Sequence, residues 1–197
     1  MCRFIESIRL ENGVISNLKY HQDRVNMVFK AVFPACNPIS LNEYLRNQEL
    51  PDVGLFKCRL IYDTDVRFFE MLPYQMRQIH SFKLVEADVE STHFKPEDRN
   101  LINLAYAQRG ECDDVLIVRD GLITDSTYCN VAFFDGLIWK TPRIPLYYGT
   151  RRASLLDSGL IEEADIPADS IHLYQKIMFF NAMIPFGELE IELNITT

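Results

Sequence analysis

The chain is organised around residues 124–130, Thr124-Asp125-Ser126-Thr127-Tyr128-Cys129-Asn130. Strand-like runs flank this stretch at Asp114–Arg119 and Val131–Phe134, and the pairs Asp120-Gly121 and Asp135-Gly136 favour turns on its two sides. An acid followed by small or polar side chains is too polar for the start of an ordinary buried strand. The stretch therefore indicates a site where a buried acid meets a cationic group.

Groups of complementary chemistry lie on either side of this acid. Upstream is Lys95, where Pro96-Glu97-Asp98 predicts the start of a helix that runs to about Arg109. Downstream, Gly149-Thr150-Arg151-Arg152 predicts another helix start. Pyridoxal phosphate requires an amine for its aldehyde, an anion for its ring nitrogen and N–H donors for its phosphate. The lysine, the acid and the glycine-led helix start supply these groups in one chain.

Each of these residues also has an ordinary interpretation when it is taken alone. Lys95 reads as a solvated lysine, Asp125 as a turn residue that accepts backbone hydrogen bonds, and Gly149 as part of a helix cap. In this order, however, the motifs resemble the fold-type IV pyridoxal-phosphate enzymes, which include branched-chain and D-amino-acid transaminases and 4-amino-4-deoxychorismate lyases. The acidic motif of that family reads roughly T-E-x-x-x-x-N, and here it reads TDSTYCN.

The resemblance covers nearly the whole chain, from FIESIR at residues 4–9 to NAMIP at residues 181–185. It implies that Lys95 binds the cofactor covalently, in a lyase-like K-x-x-N-R pattern that reads KPEDR here. It implies that Asp125 pairs with the protonated pyridine nitrogen. The residues that would contact the phosphate or line its site are Arg24, Gly149, Thr150 and Asn181.

The elements predict an α+β fold of the D-amino-acid aminotransferase type with two domains. Residues 1–86 would form a small domain of hairpins and helices, residues 87–94 a linker, and residues 95–197 a larger domain with a curved, mostly antiparallel sheet. Predicted strands of the small domain are Cys2–Leu10, Val14–Leu18, Leu55–Tyr62, Val66–Pro73 and His80–Val85; its predicted helices run from Tyr20 to Pro34 and over Leu41–Gln48. In the larger domain a helix is predicted at Thr150–Ser158, stopped by Gly159.

Composition limits the partners and the location of the chain. Its formal net charge of −8 argues against nucleic acid or an anionic membrane as a partner. The sequence has no long apolar run and no signal-peptide pattern, and its odd number of cysteines (five) suggests reduced thiols, so we expect a cytoplasmic protein. The four histidines lack metal-ligand spacing, so we expect no metal site.

The reading favoured by the motifs is a lyase that releases pyruvate and 4-aminobenzoate from 4-amino-4-deoxychorismate in folate synthesis. The alternative is a class IV aminotransferase for branched-chain or D-amino acids, and a non-catalytic or cofactor-free relative also stays open. Either enzyme would bind a small amino substrate, and the resemblance implies a homodimer. Candidates for the substrate carboxylate are Lys57, Arg59, Arg67 and Arg77, among which the sequence does not choose.

Overall fold

The computed structural model describes residues 2–193. It contains two compact units. The first comprises the chain up to Met76 together with His93–Asp98, and the second comprises Arg77–Thr92 together with the chain from Arg99 onwards. Lys95 belongs to the first unit here, whereas the predicted boundaries place it in the larger domain. Those boundaries, as limits of independently folding domains, stay a prediction.

The first unit is an antiparallel sheet with helices on one face. Strand order is β2-β1-β3-β4, where the strands are β1 (Phe4–Glu11), β2 (Val14–Ile15), β3 (Leu55–Tyr62) and β4 (Val66–Pro73). The helices are α1 (Leu18–Val32) and α2 (Leu41–Arg46). Even-numbered residues of β1 and β3 face the helices because side chains alternate along a strand. The core of this unit is formed by these strand residues with the apolar face of α1, including Ile8, Leu60, Val25, Val28 and Phe29.

Several predictions for this unit are confirmed. β3 and β4 have the predicted limits, and α2 begins at Leu41 as predicted. The hydroxyl of Ser40 caps this helix by accepting a hydrogen bond from the N–H of Glu43 at 3.3 Å. The prediction that Leu18 ends a strand is wrong, since α1 begins there. Asn17 adopts a left-handed backbone with φ of 54° and turns the chain into the helix, a conformation that asparagine tolerates better than most residues.

The second unit contains two sheets. The three-stranded sheet has the order β5-β6-β7 and the five-stranded sheet the order β10-β9-β8-β11-β12. The strands are β5 (Phe82–Glu86), β6 (Asp114–Arg119), β7 (Leu122–Ser126), β8 (Asn130–Phe134), β9 (Trp139–Pro142), β10 (Ile161–Ala164), β11 (Lys176–Phe180) and β12 (Glu190–Glu192). Pairing is antiparallel except for β5 with β6 and β9 with β10. β5, which the sequence groups with the small domain, therefore belongs to a sheet of the second unit.

The helices of this unit lie at α3 (Asn100–Tyr106), continued by a 3-10 turn at Ala107–Arg109, and at α4 (Thr150–Asp157). Gly159 follows α4 with φ of 70°, which confirms it as the predicted stop. The predicted helix start at Pro96 is wrong, because α3 begins only at Asn100. Residue 95 precedes a proline and so favours an extended backbone, and Pro96 forms a β-bridge with Phe4 instead.

Over residues 2–193, the helices are all too short or too polar to cross a membrane. The same residues contain no group of three or more His, Cys, Asp or Glu side chains arranged to hold a metal ion.

Candidate active site

Lys95 lies in an extended segment that pairs with β1 on the side opposite β3. The N–H of Ile5 donates to the carbonyl of Lys95 at 2.8 Å, and the N–H of Glu97 donates to the carbonyl of Arg3 at 2.9 Å. The side-chain amine of Lys95 lies 3.3 Å from the hydroxyl oxygen of Ser7. The backbone and the side chain of this lysine are thus both fixed by the same strand.

Arg24 is buried in the first unit and forms a forked ion pair with Glu6. Its Nε lies 2.8 Å from Oε1 and its Nη2 lies 2.6 Å from Oε2 of that carboxylate, and Nδ1 of His21 lies 2.5 Å from Oε2. Burial would raise the pKa of Glu6, but the charge of Arg24 and the hydrogen bonds from Arg24 and His21 outweigh it and hold that pKa at about 2. Burial lowers the pKa of His21 despite the nearby carboxylate. These three side chains form a buried, hydrogen-bonded network that links β1 to α1.

The predicted contact between Arg24 and a phosphate stays a prediction. The fork to Glu6 uses the N–H of Nε and one N–H of Nη2, so a phosphate would be bound by the N–H groups that remain on Nη1 and Nη2. Glu6 keeps the guanidinium of Arg24 in a fixed orientation for such a contact, because a two-bond fork fixes both position and plane.

Asp125 is the penultimate residue of β7 and is buried, with 3% of its surface exposed. The amide nitrogen of Asn130 lies 2.9 and 3.0 Å from its two carboxylate oxygens, and the N–H of Tyr147 donates to Oδ2 at 3.1 Å. Burial raises the pKa of Asp125 to about 7, although these hydrogen bonds and the more distant charge of Arg152 act in the opposite direction. No Lys, Arg or His nitrogen of the described residues lies within ion-pair distance of this carboxylate. Within residues 2–193 it is therefore a buried acid without a cation in contact.

A tight turn holds Asp125 and Asn130 together. The N–H of Ser126 donates to the carbonyl of Cys129 at 3.0 Å, and the N–H of Cys129 donates back to the Ser126 hydroxyl at 3.0 Å. The hydroxyl of Thr127 donates to buried Asp114 of β6 at 2.5 Å. These bonds place Asp125, near the end of β7, beside Asn130, the first residue of β8.

Gly149 brings the start of α4 against the acidic motif. A Cβ atom at this position would lie 2.0 Å from Oδ1 of Asn130. The φ of Gly149 is −67°, so glycine is required here by the close approach and not by backbone conformation. Asn130 also donates to the carbonyl of Tyr147 at 2.8 Å. Thr150, the first residue of α4, is buried. Asp125 and the predicted phosphate-binding helix start are therefore parts of one packed cluster.

Asn181 joins the end of β11 to the same turn. Its amide nitrogen lies 3.0 Å from the carbonyl oxygen of Tyr128 and 3.4 Å from the sulfur of Cys129. Its amide oxygen accepts from the N–H groups of Met183 and Ile184 at 2.8 and 2.9 Å. The side chain thus supports the wall of the site, and its predicted contact with phosphate stays a prediction.

The sequence motifs did not identify the side chains that contact the predicted site residues. The sequence pattern could have indicated Glu6 as the partner of a buried cation, because its carboxylate stands at an inward-facing position of β1 between Phe4 and Ile8. Nothing in the sequence indicated Ser7, since a hydroxyl on a strand is common. Asn130, the last residue of the acidic motif, supports the carboxylate of Asp125.

The family model for Amino-transferase class IV matches residues 79–188, more than half of the chain. A protein of Haemophilus influenzae described as uncharacterized is 33% identical over 93% of this chain and 98% of its own length. A crystal structure of a "putative 4-amino-4-deoxychorismate lyase" from Haemophilus somnus is 31% identical, covers 94% of this chain and 98% of that one, and superposes with a TM-score of 0.87.

A "hypothetical aminotransferase" of Mycobacterium tuberculosis in a PLP-bound form is 15% identical. It matches 95% of this chain and 80% of its own with a TM-score of 0.76, and it therefore shares the fold. These likenesses confirm the mixed α+β architecture of fold type IV. Together with the matched residues and the H. influenzae relative, they establish that the chain belongs to the class IV aminotransferase family, whose members are pyridoxal-phosphate enzymes.

Proposed function

We propose that this chain is a pyridoxal-phosphate lyase that converts 4-amino-4-deoxychorismate into 4-aminobenzoate and pyruvate, a step of folate synthesis. The H. somnus protein, at 31% identity over nearly the full length, supports the lyase reading within the family. The lyase-like pattern from Lys95 to Arg99 supports it as well, because class IV transaminases often carry a tyrosine at or beside the second of these positions.

The observation that carries the cofactor assignment is the buried carboxylate of Asp125. Burial disfavours the charged form of an acid, and a cation in contact restores it. A protonated pyridine nitrogen is a flat cationic donor that suits a carboxylate fixed by Asn130 and Tyr147. The residues at this position therefore fit the ring of pyridoxal phosphate.

The other groups of the cofactor have matching residues. The amine of Lys95 would hold the aldehyde carbon, and the N–H groups at the start of α4 would bind the phosphate, as helix N-termini do. When it is bound, the cofactor supplies an electron sink for the carbon that loses a proton. Lys95 would carry that proton on its Nζ, and the hydroxyl of Ser7 at 3.3 Å would orient the amine.

The alternative is a class IV aminotransferase for branched-chain or D-amino acids. The family match supports this enzyme as well as the lyase, because both would use pyridoxal phosphate. The two enzymes differ in whether a group leaves from the substrate or a proton is returned to the cofactor. A family member without turnover is a further alternative, and it predicts no products.

A spectrum and a product assay separate these possibilities. We expect the purified protein with added pyridoxal phosphate to absorb at about 420 nm, the band of the lysine-bound cofactor. With 4-amino-4-deoxychorismate it should release pyruvate in step with 4-aminobenzoate, as measured by coupled reduction of pyruvate. Exchange of amino groups between amino acids and 2-oxo acids without pyruvate release would favour the aminotransferase, and a protein without the band would refute both enzymes.

We also propose a homodimer in the cytoplasm. Fold-type IV enzymes complete each site with help from a neighbouring subunit. Sedimentation of the cofactor-loaded protein should give twice the chain mass, and a monomer with cofactor bound would contradict this proposal.

A further inference from the structure

Three arginines surround two tyrosines in the second unit. The guanidinium of Arg77 lies 5.2 Å from the ring centre of Tyr106 and 5.7 Å from that of Tyr128. Arg99 lies 5.2 Å from the Tyr128 ring, and Arg109 lies 4.2 Å from the Tyr106 ring. The two rings meet edge to face at 6.1 Å. We call these residues the arginine–tyrosine cluster.

The three guanidinium groups have no acidic partner among the described residues. Arg77 donates to the hydroxyl of Tyr106 at 2.9 Å and also to the carbonyl of Asp113. Arg99 donates to the carbonyl of Thr127 at 2.5 Å, and Arg109 donates to the carbonyl of Tyr106 at 3.5 Å. The ion pairs of residues 2–193 include none of the three. Among residues 2–193, the groups in contact with these charges are therefore carbonyl dipoles, the Tyr106 hydroxyl and ring faces.

This arrangement favours an anion. Adjacent arginines on shared rings repel one another, and the ring faces offset only part of that repulsion. Each planar guanidinium has several donors, and carboxylates match its forked geometry. A small carboxylate would both relieve the repulsion and use the remaining donors. The chain has a net charge of −8, which disfavours a polyanion such as nucleic acid at this surface.

The cluster adjoins the acidic motif. Tyr128 lies in the turn between Asp125 and Asn130, with 53% of its surface exposed. Arg99 is bonded to Thr127 of the same turn, and Asn181 is bonded to the backbone of Tyr128. A ligand on Tyr128 would therefore lie beside the turn that fixes the carboxylate proposed to bind the cofactor ring.

The other arginines considered from the sequence are already paired with acids. Arg59 lies 3.1 Å from Glu70, and Arg67 lies 2.8 Å from Asp63. Of the candidate arginines, Arg77 alone lies in the cluster, and Arg99 joins it there.

We propose that Arg77 and Arg99 bind a carboxylate of the substrate beside the exposed side chain of Tyr128. This inference rests on the proposed function for the identity of the ligand, which is a ring carboxylate. The two arginines determine specificity for the anionic group and do not take part in bond cleavage.

The test is equilibrium binding of 4-aminobenzoate, compared with uncharged 4-aminobenzamide, to the cofactor-loaded protein by calorimetry. We expect the acid to bind more tightly than the amide. Arg77→Gln and Arg99→Gln should each weaken binding of the acid by about tenfold or more, because a charge-assisted fork is lost, and should leave the amide unchanged. The affinity of Arg77→Lys for the acid should lie between those of the parent and Arg77→Gln, since lysine keeps the charge but cannot form the fork. Arg143→Gln, which removes a surface arginine paired with Asp165, is the matched control and should change neither ligand.

Each outcome separates the inference from the proposed function. Equal affinities for acid and amide, or unchanged binding of the acid in both glutamine variants, would overturn the inference even if the absorption band shows bound cofactor. A change of sedimentation in the variants, with ligand binding intact, would overturn it in favour of a protein interface. Loss of acid binding in the variants of a protein that takes up no cofactor would support the anion site while refuting the proposed function. Melting curves of all variants check that the fold is retained.

Discussion

The amine of Lys95 lies 3.3 Å from the hydroxyl oxygen of Ser7, although the two residues are 88 positions apart in sequence. Two residues before Ser7 on the same strand, Ile5 donates its N–H to the carbonyl of Lys95. Ile5 and Ser7 share one face of β1 because side chains alternate. The lysine is therefore laid along that face, which restricts the directions in which its amine can point.

We predict that Lys95 carries the cofactor. Borohydride reduction of the loaded protein, followed by peptide mapping, should place the pyridoxyl label on Lys95, and Lys95→Ala should take up no label. Lys83→Ala serves as the control, since Lys83 is an exposed residue of β5 whose amine bonds to the carbonyl of Gln108. A label on any other lysine would disprove the assignment.

The charge of Asp125 should govern turnover. A unit charge pair at about 4 Å with an effective dielectric near 20 contributes roughly 4 kcal/mol, and each 1.4 kcal/mol is about tenfold in rate. Asp125→Asn keeps the shape and removes the charge, so turnover should fall by about two to three orders of magnitude while the phosphate still anchors the cofactor. Asp125→Glu should retain much more activity. If Asp125→Asn turns over at the parental rate in saturating cofactor, Asp125 is only a turn residue.

The same carboxylate should make the cofactor-free protein less stable as the pH rises. Burial raises the pKa of Asp125 from 3.8 to about 7, so between these values the folded state holds a proton that the unfolded state has lost. The free energy of unfolding then falls as the pH rises through this window, and it levels off above about pH 7. The total fall is about 4 kcal/mol, because each pKa unit corresponds to about 1.4 kcal/mol. Asp125→Asn removes this contribution. Urea unfolding at either end of the window should show the variant gaining stability relative to the parent at the higher pH, and equal differences at both ends would contradict the raised pKa.

Gly149→Ala should disrupt the cluster through a collision and not through backbone strain. The added Cβ would lie 2.0 Å from Oδ1 of Asn130, and overpacking of this kind costs roughly 1–3 kcal/mol. We expect lower stability in urea unfolding and weaker cofactor binding. Combining Gly149→Ala with Asn130→Ala removes the obstructing atom, so the two losses should not add. Strict additivity would show that the two residues do not compete for space.

Glu6→Gln should destabilise the first unit strongly. The change leaves the buried guanidinium of Arg24 without a counter-charge, which costs about 3–5 kcal/mol in the free energy of unfolding. The matched control is Asp165→Asn, which breaks the exposed ion pair with Arg143 and should cost less than about 1 kcal/mol. Urea unfolding measures both, and similar costs for the two variants would show that the buried trio contributes no more than a surface pair.

Local patterns predicted much of the fold. The predicted limits of β3 and β4 are correct to the residue, and so is the predicted first residue of α2, Leu41. The error at Pro96 arose because proline and acids also begin helices, and only the distant strand β1 supplies the hydrogen bonds that make this segment extended. The pairing of β5 with β6 is likewise non-local and left no mark on either strand.

The candidate site was predictable as a set of motifs but not as an arrangement. The position of Asp125 followed from the pattern TDSTYCN, and the glycine before α4 from its helix start. The contacts that build the site join residues that are far apart in the chain: Gly149 with Asn130, Glu6 with Arg24, and Ser7 with Lys95. No local periodicity encodes such contacts, so the partners of the site emerge only once the strands are assembled.

The segment that carries Lys95 also protects the margin of the first sheet. Along this segment Lys95 and Glu97 direct their backbone groups toward β1, and strand geometry turns those of the residue between them outward. That residue is Pro96, which has no N–H to offer. An approaching strand from another molecule would find an acceptor there but no donor, which is how natural sheets discourage edge-to-edge aggregation. The proline that misleads a helix prediction thus removes the one outward N–H donor from this stretch of the sheet's border.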